Sequence, residues 1–258
     1  MKIGFVGTGA ISEAVITGLL KTRSDISEIT VSPRNAEVSS RLARSSSLVR
    51  VGRDNQDVVD SCDTVFLAVR PQISKEVVTA LRFRANHHIV NIVGTLTHET
   101  LHRWIETPVT ITRAIPLPLV ADLRGVTPIY PPNNQIANLF APLGPVIECN
   151  DSAHYDCLAV ASALMETYFG MLEICQHWLV ERGLLREEAM AYLKDLAFGL
   201  SQTMMTSQST SFESLRFGHT TPGGLNEQMY RVFREQGGAR ALTSALDSVL
   251  TRVESSLI

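Results

Sequence analysis

The stretch Val6-Gly7-Thr8-Gly9-Ala10-Ile11-Ser12 places two glycines where an apolar strand pattern gives way to a helical one. Such a turn can bind a pyrophosphate. Gly7 permits the tight bend, Gly9 lets the anion approach the backbone, and the free N–H groups of the following helix face the negative charge. Ser12 stands where a third glycine is usual. The turn follows the first strand of an alternating strand–helix chain, the context in which this motif binds a dinucleotide. A second stretch, His98-Glu99-Thr100-Leu101-His102, fits H-E-x-x-H. On a long helix those histidines lie one turn apart and can share a zinc ion with the glutamate as base.

The surroundings of the two stretches separate them. The histidine helix is squeezed between Gly94 and Thr107-Pro108, which leaves it about three turns at most. Leu101, Trp104 and Ile105 mark a buried face, Thr97 reads as its cap, and Glu99 and Arg103 are spaced for a surface pair. His154, His177 and His219 lie in a different half with no second ligand motif. No metal is expected. The glycine turn, by contrast, has a matching second element. Residues 28–32 read as a strand that ends Val31-Ser32-Pro33-Arg34-Asn35. Sites that prefer NAD place a carboxylate there for the ribose 2′-hydroxyl. Here Ser32 can donate a hydrogen bond and Arg34 can pair with a dianionic 2′-phosphate, so the expected cofactor is NADP(H). The fourth strand ends Leu67-Ala68-Val69-Arg70-Pro71-Gln72, with its last residues turned toward the ligand crevice and Pro71 suited to the first helical turn.

Alternating elements position these residues. Strand patterns over residues 2–6, 28–32, 48–51, 63–69, 88–93, 109–114 and 126–130 are separated by helical patterns over 10–21, 36–44, from 54, 72–81 and around the histidine motif. That rhythm predicts an α/β fold, a Rossmann-type parallel sheet doubly wound with helices. From about residue 151 strand patterns stop. Helical periodicity covers residues 154–182, 187–206 and 225–254, and the short polar runs Ser45-Ser46-Ser47-Leu48 and residues 206–212 read as turns. Leu164, Tyr168, Met171 and Leu172 recur on one face, as a core or a dimer interface requires. The expected division is a dinucleotide-binding domain over 1–150 and an all-helical domain over 151–258, with wide apolar faces suited to completing a core on a second subunit.

Composition narrows the partners. The 258 residues are 45% hydrophobic, enough for a sizeable core. A net charge of −3 gives no basic excess for nucleic acid. Cys62, Cys149, Cys157 and Cys175 are scattered without a C-x-x-C pair, as in a reducing cytoplasm. No secretory signal is visible at the start, and no apolar run is expected to approach the roughly 20 residues that span a bilayer.

Taken in order, these pieces resemble pyrroline-5-carboxylate reductase over nearly the whole chain. The likeness runs through Gly7-Thr8-Gly9-Ala10-Ile11, Ser32-Pro33-Arg34, Asn55, Ala68-Val69-Arg70-Pro71-Gln72, Leu143-Gly144-Pro145-Val146-Ile147-Glu148, Thr221-Pro222-Gly223-Gly224 and Glu235-Gln236-Gly237-Gly238. The resemblance implies a Rossmann domain followed by a helical dimerisation domain, and NAD(P)H-dependent reduction of a cyclic imine to L-proline. It assigns Asn55 to the NADP ribose and the backbone of Pro222, Gly223 and Gly224 to the substrate carboxylate. It puts Thr221 and Asn226 at the reacting imine. Three departures stand out. Leu117 replaces an asparagine after the sixth strand, Leu225-Asn226 replaces a threonine-bearing pair, and Ala161-Ser162-Ala163 replaces a Gly-Ser-Gly-Pro-Ala run. Cofactor residues are kept better than substrate residues. A reductase of another imine or carbonyl on the same scaffold, or a non-catalytic NADP-binding protein, are the competing readings.

Overall fold

The computed structural model of the chain describes residues 1–22, 25–208 and 211–255. By its internal packing the chain divides into two compact units, Met1–Ser162 with Leu250–Ile258, and Ala163–Val249.

In the first unit the β-branched runs form strands β1 (Lys2–Val6), β2 (Glu28–Val31), β3 (Val49–Val51), β4 (Thr64–Leu67), β5 (His88–Asn91), β6 (Thr110–Ala114), β7 (Thr127–Tyr130) and β8 (Val146–Glu148). Between them lie α1 (Ala10–Thr22), α2 (Ala36–Ser45), α3 (Asn55–Ser61), α4 (Pro71–Thr79), α5 (His98–Trp104) and α6 (Asn134–Phe140), with α7 (Ser152–Ala161) after β8. The sheet runs β3-β2-β1-β4-β5-β6-β7-β8. The expected all-parallel sheet carries one reversal, because β7 pairs antiparallel with β6. A short 3-10 turn, Pro118–Asp122, replaces a crossover helix between those strands. Without a full crossover the chain must return in the opposite direction.

Both faces of the sheet are covered, as strand alternation requires. Ile3, Phe5, Phe66 and Val90 pack on α1 and α6, whereas Val6, Val65, Leu67 and Ile89 pack on α3, α4 and α5. Phe5 and Phe66 stack at 4.5 Å on the first face. Gly18 lets α1 press against the 3-10 turn, since a Cβ there would lie 2.5 Å from the Val120 carbonyl oxygen. That turn begins just after Leu117, the residue that departs from the resembled pattern.

The remaining helices are α8 (Leu164–Glu181), α9 (Arg186–Thr206), α10 (Phe212–Gly218), α11 (Leu225–Glu235) and α12 (Gly238–Ser255). Two continuous helices expected from periodicity are each broken. A turn at Ser162 and Ala163 separates α7 from α8, and Gly237 at φ +83° separates α11 from α12. Contrary to expectation, the stretch Ser152–Glu181 is long and apolar enough to cross a membrane by length and composition alone, although that turn divides it. Part of the polar run over residues 206–212 lies outside the described residues. The helical unit has almost no core of its own. Among its described residues only Gln176, Ala189 and Leu193 are buried. Leu164, Tyr168 and Met171 of the apolar stripe are exposed, as are Phe169, Ile174 and Phe198.

Candidate functional site

The turn between β1 and α1 is built around two glycines with different duties. Gly7 has φ +104°, and a Cβ on it would lie 2.4 Å from the Ala68 carbonyl oxygen. Only glycine lets the turn sit against the end of β4. Gly9 faces open space, with nothing within 4 Å of its would-be Cβ. Ser12, in the third glycine's place, is buried and donates its hydroxyl to the Gly7 carbonyl at 2.8 Å. The turn is therefore closed from within the helix rather than by a third glycine.

Two further strand ends converge on this turn. Ser32, just past β2, is fully buried and its Oγ accepts from the Gly7 N–H at 3.0 Å. Thr8 donates to the Ser32 carbonyl at 2.8 Å, and the two hydroxyls lie 3.0 Å apart. Asn35 caps α2 by accepting from the Val38 N–H. Arg70 is the cap position of α4, and Pro71 fills the first helical position, where a missing N–H costs nothing.

These ends enclose a cavity of about 380 Å³. Of the residues expected to bind a cofactor, Gly7, Thr8, Gly9, Ser32, Arg34, Asn55, Ala68, Val69 and Arg70 line it. Ala10, Ile11 and Pro71 do not. Ala10 and Pro71 begin the adjoining helices, and Ile11 packs against the core. Asn35, Ala36, Ile73 and Val77 also line the cavity and were not anticipated. The i,i+4 pair Ile73 and Val77 was legible as one apolar face of α4, and Asn35 as a helix cap directly after Arg34.

The cavity suits a polyanion. No carboxylate lines it, and Arg34 and Arg70 are exposed and make no ion pair among the described residues. Glu13, in the first turn of α1, would oppose an anion there. Arg41 grips both its oxygens at 2.7 and 2.9 Å, and that hydrogen bonding holds the Glu13 carboxyl below its ordinary range. The open space over Gly9 is a cradle that any side chain would fill. Pyrophosphate, ribose and a 2′-phosphate match this donor set in kind.

The histidine motif has a different fate. Its helix α5 is only seven residues long, with Thr97 as its cap. The His98 and His102 rings sit 5.0 Å apart, but no group of three or more potential metal ligands occurs among the described residues. Burial, then His102, then Arg113 push the His98 imidazole down to about 4. Glu99 and Arg103 form no ion pair among the described residues. Arg113, at the end of β6, is 2% exposed. It donates to Asp156 at 2.8 Å and lies 4.3 Å over the Tyr155 ring, so it fastens α7 to the sheet.

In the helical unit Thr221–Gly224 forms a turn before α11. Gly224 N–H donates to the Thr221 carbonyl at 2.8 Å, and Gly223 takes φ +72°. Gly223 N–H donates to the Glu227 carboxylate, four residues on, at 2.6 Å. Asn226 donates to the His219 carbonyl at 2.7 Å. Asn226 lines a second, largely apolar cavity of about 450 Å³ with Phe212, Met229 and Tyr230. Thr221, Pro222, Gly223 and Gly224 are not among its lining, and Leu225 is 84% exposed.

Comparison with known proteins agrees with both halves. Residues 2–94 match the family described as NADP oxidoreductase, coenzyme F420-dependent. Residues 154–256 match the family described as pyrroline-5-carboxylate reductase dimerisation. The pyrroline-5-carboxylate reductase of Haemophilus influenzae is 24% identical, over 97% of this chain and 95% of that protein. The chain resembles pyrroline-5-carboxylate reductase over nearly its whole length. It is an NAD(P)-dependent oxidoreductase. Pyrroline-5-carboxylate reductase 2 of Bacillus subtilis is 23% identical over 97% of this chain and 93% of its own length. Among solved structures of the family, that of Streptococcus pyogenes superposes with a TM-score of 0.86 at 19% identity, covering 99% of this chain and 98% of that one. That of Plasmodium falciparum, solved with NADP bound, gives 0.84 at 16% identity with the same coverage.

Proposed function

We propose that the chain is an NADPH-dependent imine reductase that converts 1-pyrroline-5-carboxylate to L-proline. The observation that carries this reading is the cavity at the glycine turn. It has no carboxylate, exposes Arg34 and Arg70, and sits in a chain that matches the family from end to end. A cofactor with a 2′-phosphate gains from both guanidiniums, whereas NAD(H) finds no acid for its 2′-hydroxyl. Gly7, Thr8 and Gly9 would form the pyrophosphate turn, with Asn55, Ala68 and Val69 around the ribose and nicotinamide side. Bound NADPH supplies the hydride. A cyclic imine is basic and is protonated to a strong electrophile, so the protein's main task is orientation. In this reading the substrate carboxylate takes the place of the Glu227 carboxylate on the Gly223 N–H, in the turn Thr221-Pro222-Gly223-Gly224, with Asn226 and Thr221 beside the imine nitrogen. The N-terminal end of α11 adds a favourable dipole. The exposed apolar faces of α8, α9 and α11 are covered in a homodimer, which the dimerisation match supports. A reducing cytoplasm is the expected setting.

A second reading follows from Asn226 and Leu225. Asn226 stands where the resembled pattern has a threonine, its amide is engaged with His219, and the Leu225 before it is exposed. Another imine would then be the substrate. The reductive aminase of Aspergillus terreus, solved with NADPH and ethyl-5-oxohexanoate, shares the fold with a TM-score of 0.58. Oxidation of NADPH and of NADH by the purified protein, over a panel of cyclic imines with and without a carboxylate, separates the two readings. Turnover confined to imines without a carboxylate would reject pyrroline-5-carboxylate.

A further inference from the structure

Ser32 stands at the strand end where a side chain can touch an adenosine 2′-substituent, and its hydroxyl is the group expected to donate to a phosphate. Its hydrogen is already committed. Thr8 has one hydroxyl hydrogen, and it goes to the Ser32 carbonyl, which can only accept, at 2.8 Å. The 3.0 Å contact between the two hydroxyls must therefore use the Ser32 hydrogen. The Ser32 oxygen meanwhile accepts from the Gly7 N–H at 3.0 Å. Ser32 is fully buried and Thr8 nearly so, so water does not compete for these bonds. Ser32 has no hydrogen left for a ligand. What its hydroxyl does is hold Gly7 and Thr8 against the end of β2.

We infer that Ser32 is a positioning residue that locks the glycine turn through Thr8, and that discrimination for the 2′-phosphate is carried by Arg34 and Arg70 without it. This rests on the dinucleotide reading given above. The test is calorimetric titration of the full-length protein with NADP+ and with NAD+. Ser32→Ala and Thr8→Val each loosen the same turn, so each is expected to weaken both nucleotides by a common factor, roughly 5–10-fold for a lost buried hydrogen bond. The NADP+/NAD+ affinity ratio stays within about twofold of wild type, whereas Arg34→Ala lowers that ratio roughly 30-fold or more, as losing a charge-assisted bond does. Thr8→Ser keeps the hydroxyl and is expected to retain wild-type affinity. A selective loss of NADP+ affinity in Ser32→Ala would show that Ser32 contacts the phosphate and would overturn the inference. If Ser32→Ala does not fold, Thr8→Val decides alone. That variant cuts the same lock, so weaker binding of both nucleotides supports the positioning role and undiminished binding of both refutes it. Wild-type protein that binds neither nucleotide would remove the dinucleotide reading itself, together with this inference.

Discussion

Gly7 and Gly9 stand two residues apart in one turn, yet alanine at the two positions should fail in opposite ways. At Gly7 the backbone angle of +104° is costly for any residue with a Cβ, about 1–3 kcal/mol. The added Cβ also meets the Ala68 carbonyl oxygen at 2.4 Å, inside contact distance, and that oxygen belongs to the backbone and cannot rotate away. Such overpacking adds about 1–3 kcal/mol. Gly7→Ala should therefore lose about 2–6 kcal/mol of stability, a fall in Tm on the order of 10 °C for a chain of this size. At Gly9 the new Cβ meets nothing within 4 Å. Gly9→Ala should melt within a few degrees of wild type, since nothing opposes the new Cβ and alanine restricts the unfolded chain by about 0.4–1 kcal/mol. It should nevertheless bind NADP+ weakly, since the methyl group takes the space a pyrophosphate needs. Thermal melts with and without NADP+ read both quantities. Protection by NADP+ should largely disappear in Gly9→Ala. A Gly9→Ala protein that NADP+ protects as well as wild type would refute the claim that this open space is the ligand's.

Three other outcomes follow from particular contacts. Asp156→Ala strands the buried Arg113 guanidinium without its carboxylate and should cost about 2–4 kcal/mol in urea unfolding, with Asp156→Glu recovering part of it. Two groups make the native state acid-sensitive in separate windows. His98 titrates near 4 folded and 6.5 in a free side chain, so the unfolded chain takes the proton first and stability falls, by up to roughly 1 kcal/mol per pH unit, as pH drops from 6.5 toward 4; His98→Gln should flatten that slope. Asp57 is held near 2 by the Arg53 N–H and Arg50 against 3.8 for the free group, so its contribution of about 1–2 kcal/mol is intact above pH 4 and lost as pH falls toward 2, which Asp57→Asn should abolish. The exposed apolar helices predict a dimer in sedimentation equilibrium, and Ile174→Glu or Phe198→Glu should shift it toward monomer.

The Rossmann half was legible because its signals are local. Gly7, the β-branched strands and Pro71 each fix backbone shape through their own chemistry, and the observed strands and helices fall within a residue or two of the expected ones. The reversal at β7 was not legible, because it depends on a 3-10 turn, Pro118–Asp122, too short to show periodicity. The three-residue, largely exposed β8 and the two-turn helices α6 and α10 gave equally little pattern. Periodicity also runs straight through Ser162 and Ala163, whose angles stay right-handed, and through Gly237, although the Gly237-Gly238 pair is a breaker signal in the sequence. At the cavity, residue types identified Arg34 and Asn55, but the hydrogen committed between Ser32 and Thr8 is a property of three-dimensional contact. In the helical half both the apolar stripe and its need for a second subunit were visible in the sequence, because the wide apolar faces have no strands or further layers to cover them.

The most direct measurement is NADPH oxidation by the purified protein with 1-pyrroline-5-carboxylate, run beside NADH at equal concentration. The account predicts turnover with proline as product, faster with NADPH, and loss of that preference in Arg34→Ala. Tight NADPH binding with no turnover of any imine would contradict it and leave a nucleotide-binding protein without this chemistry.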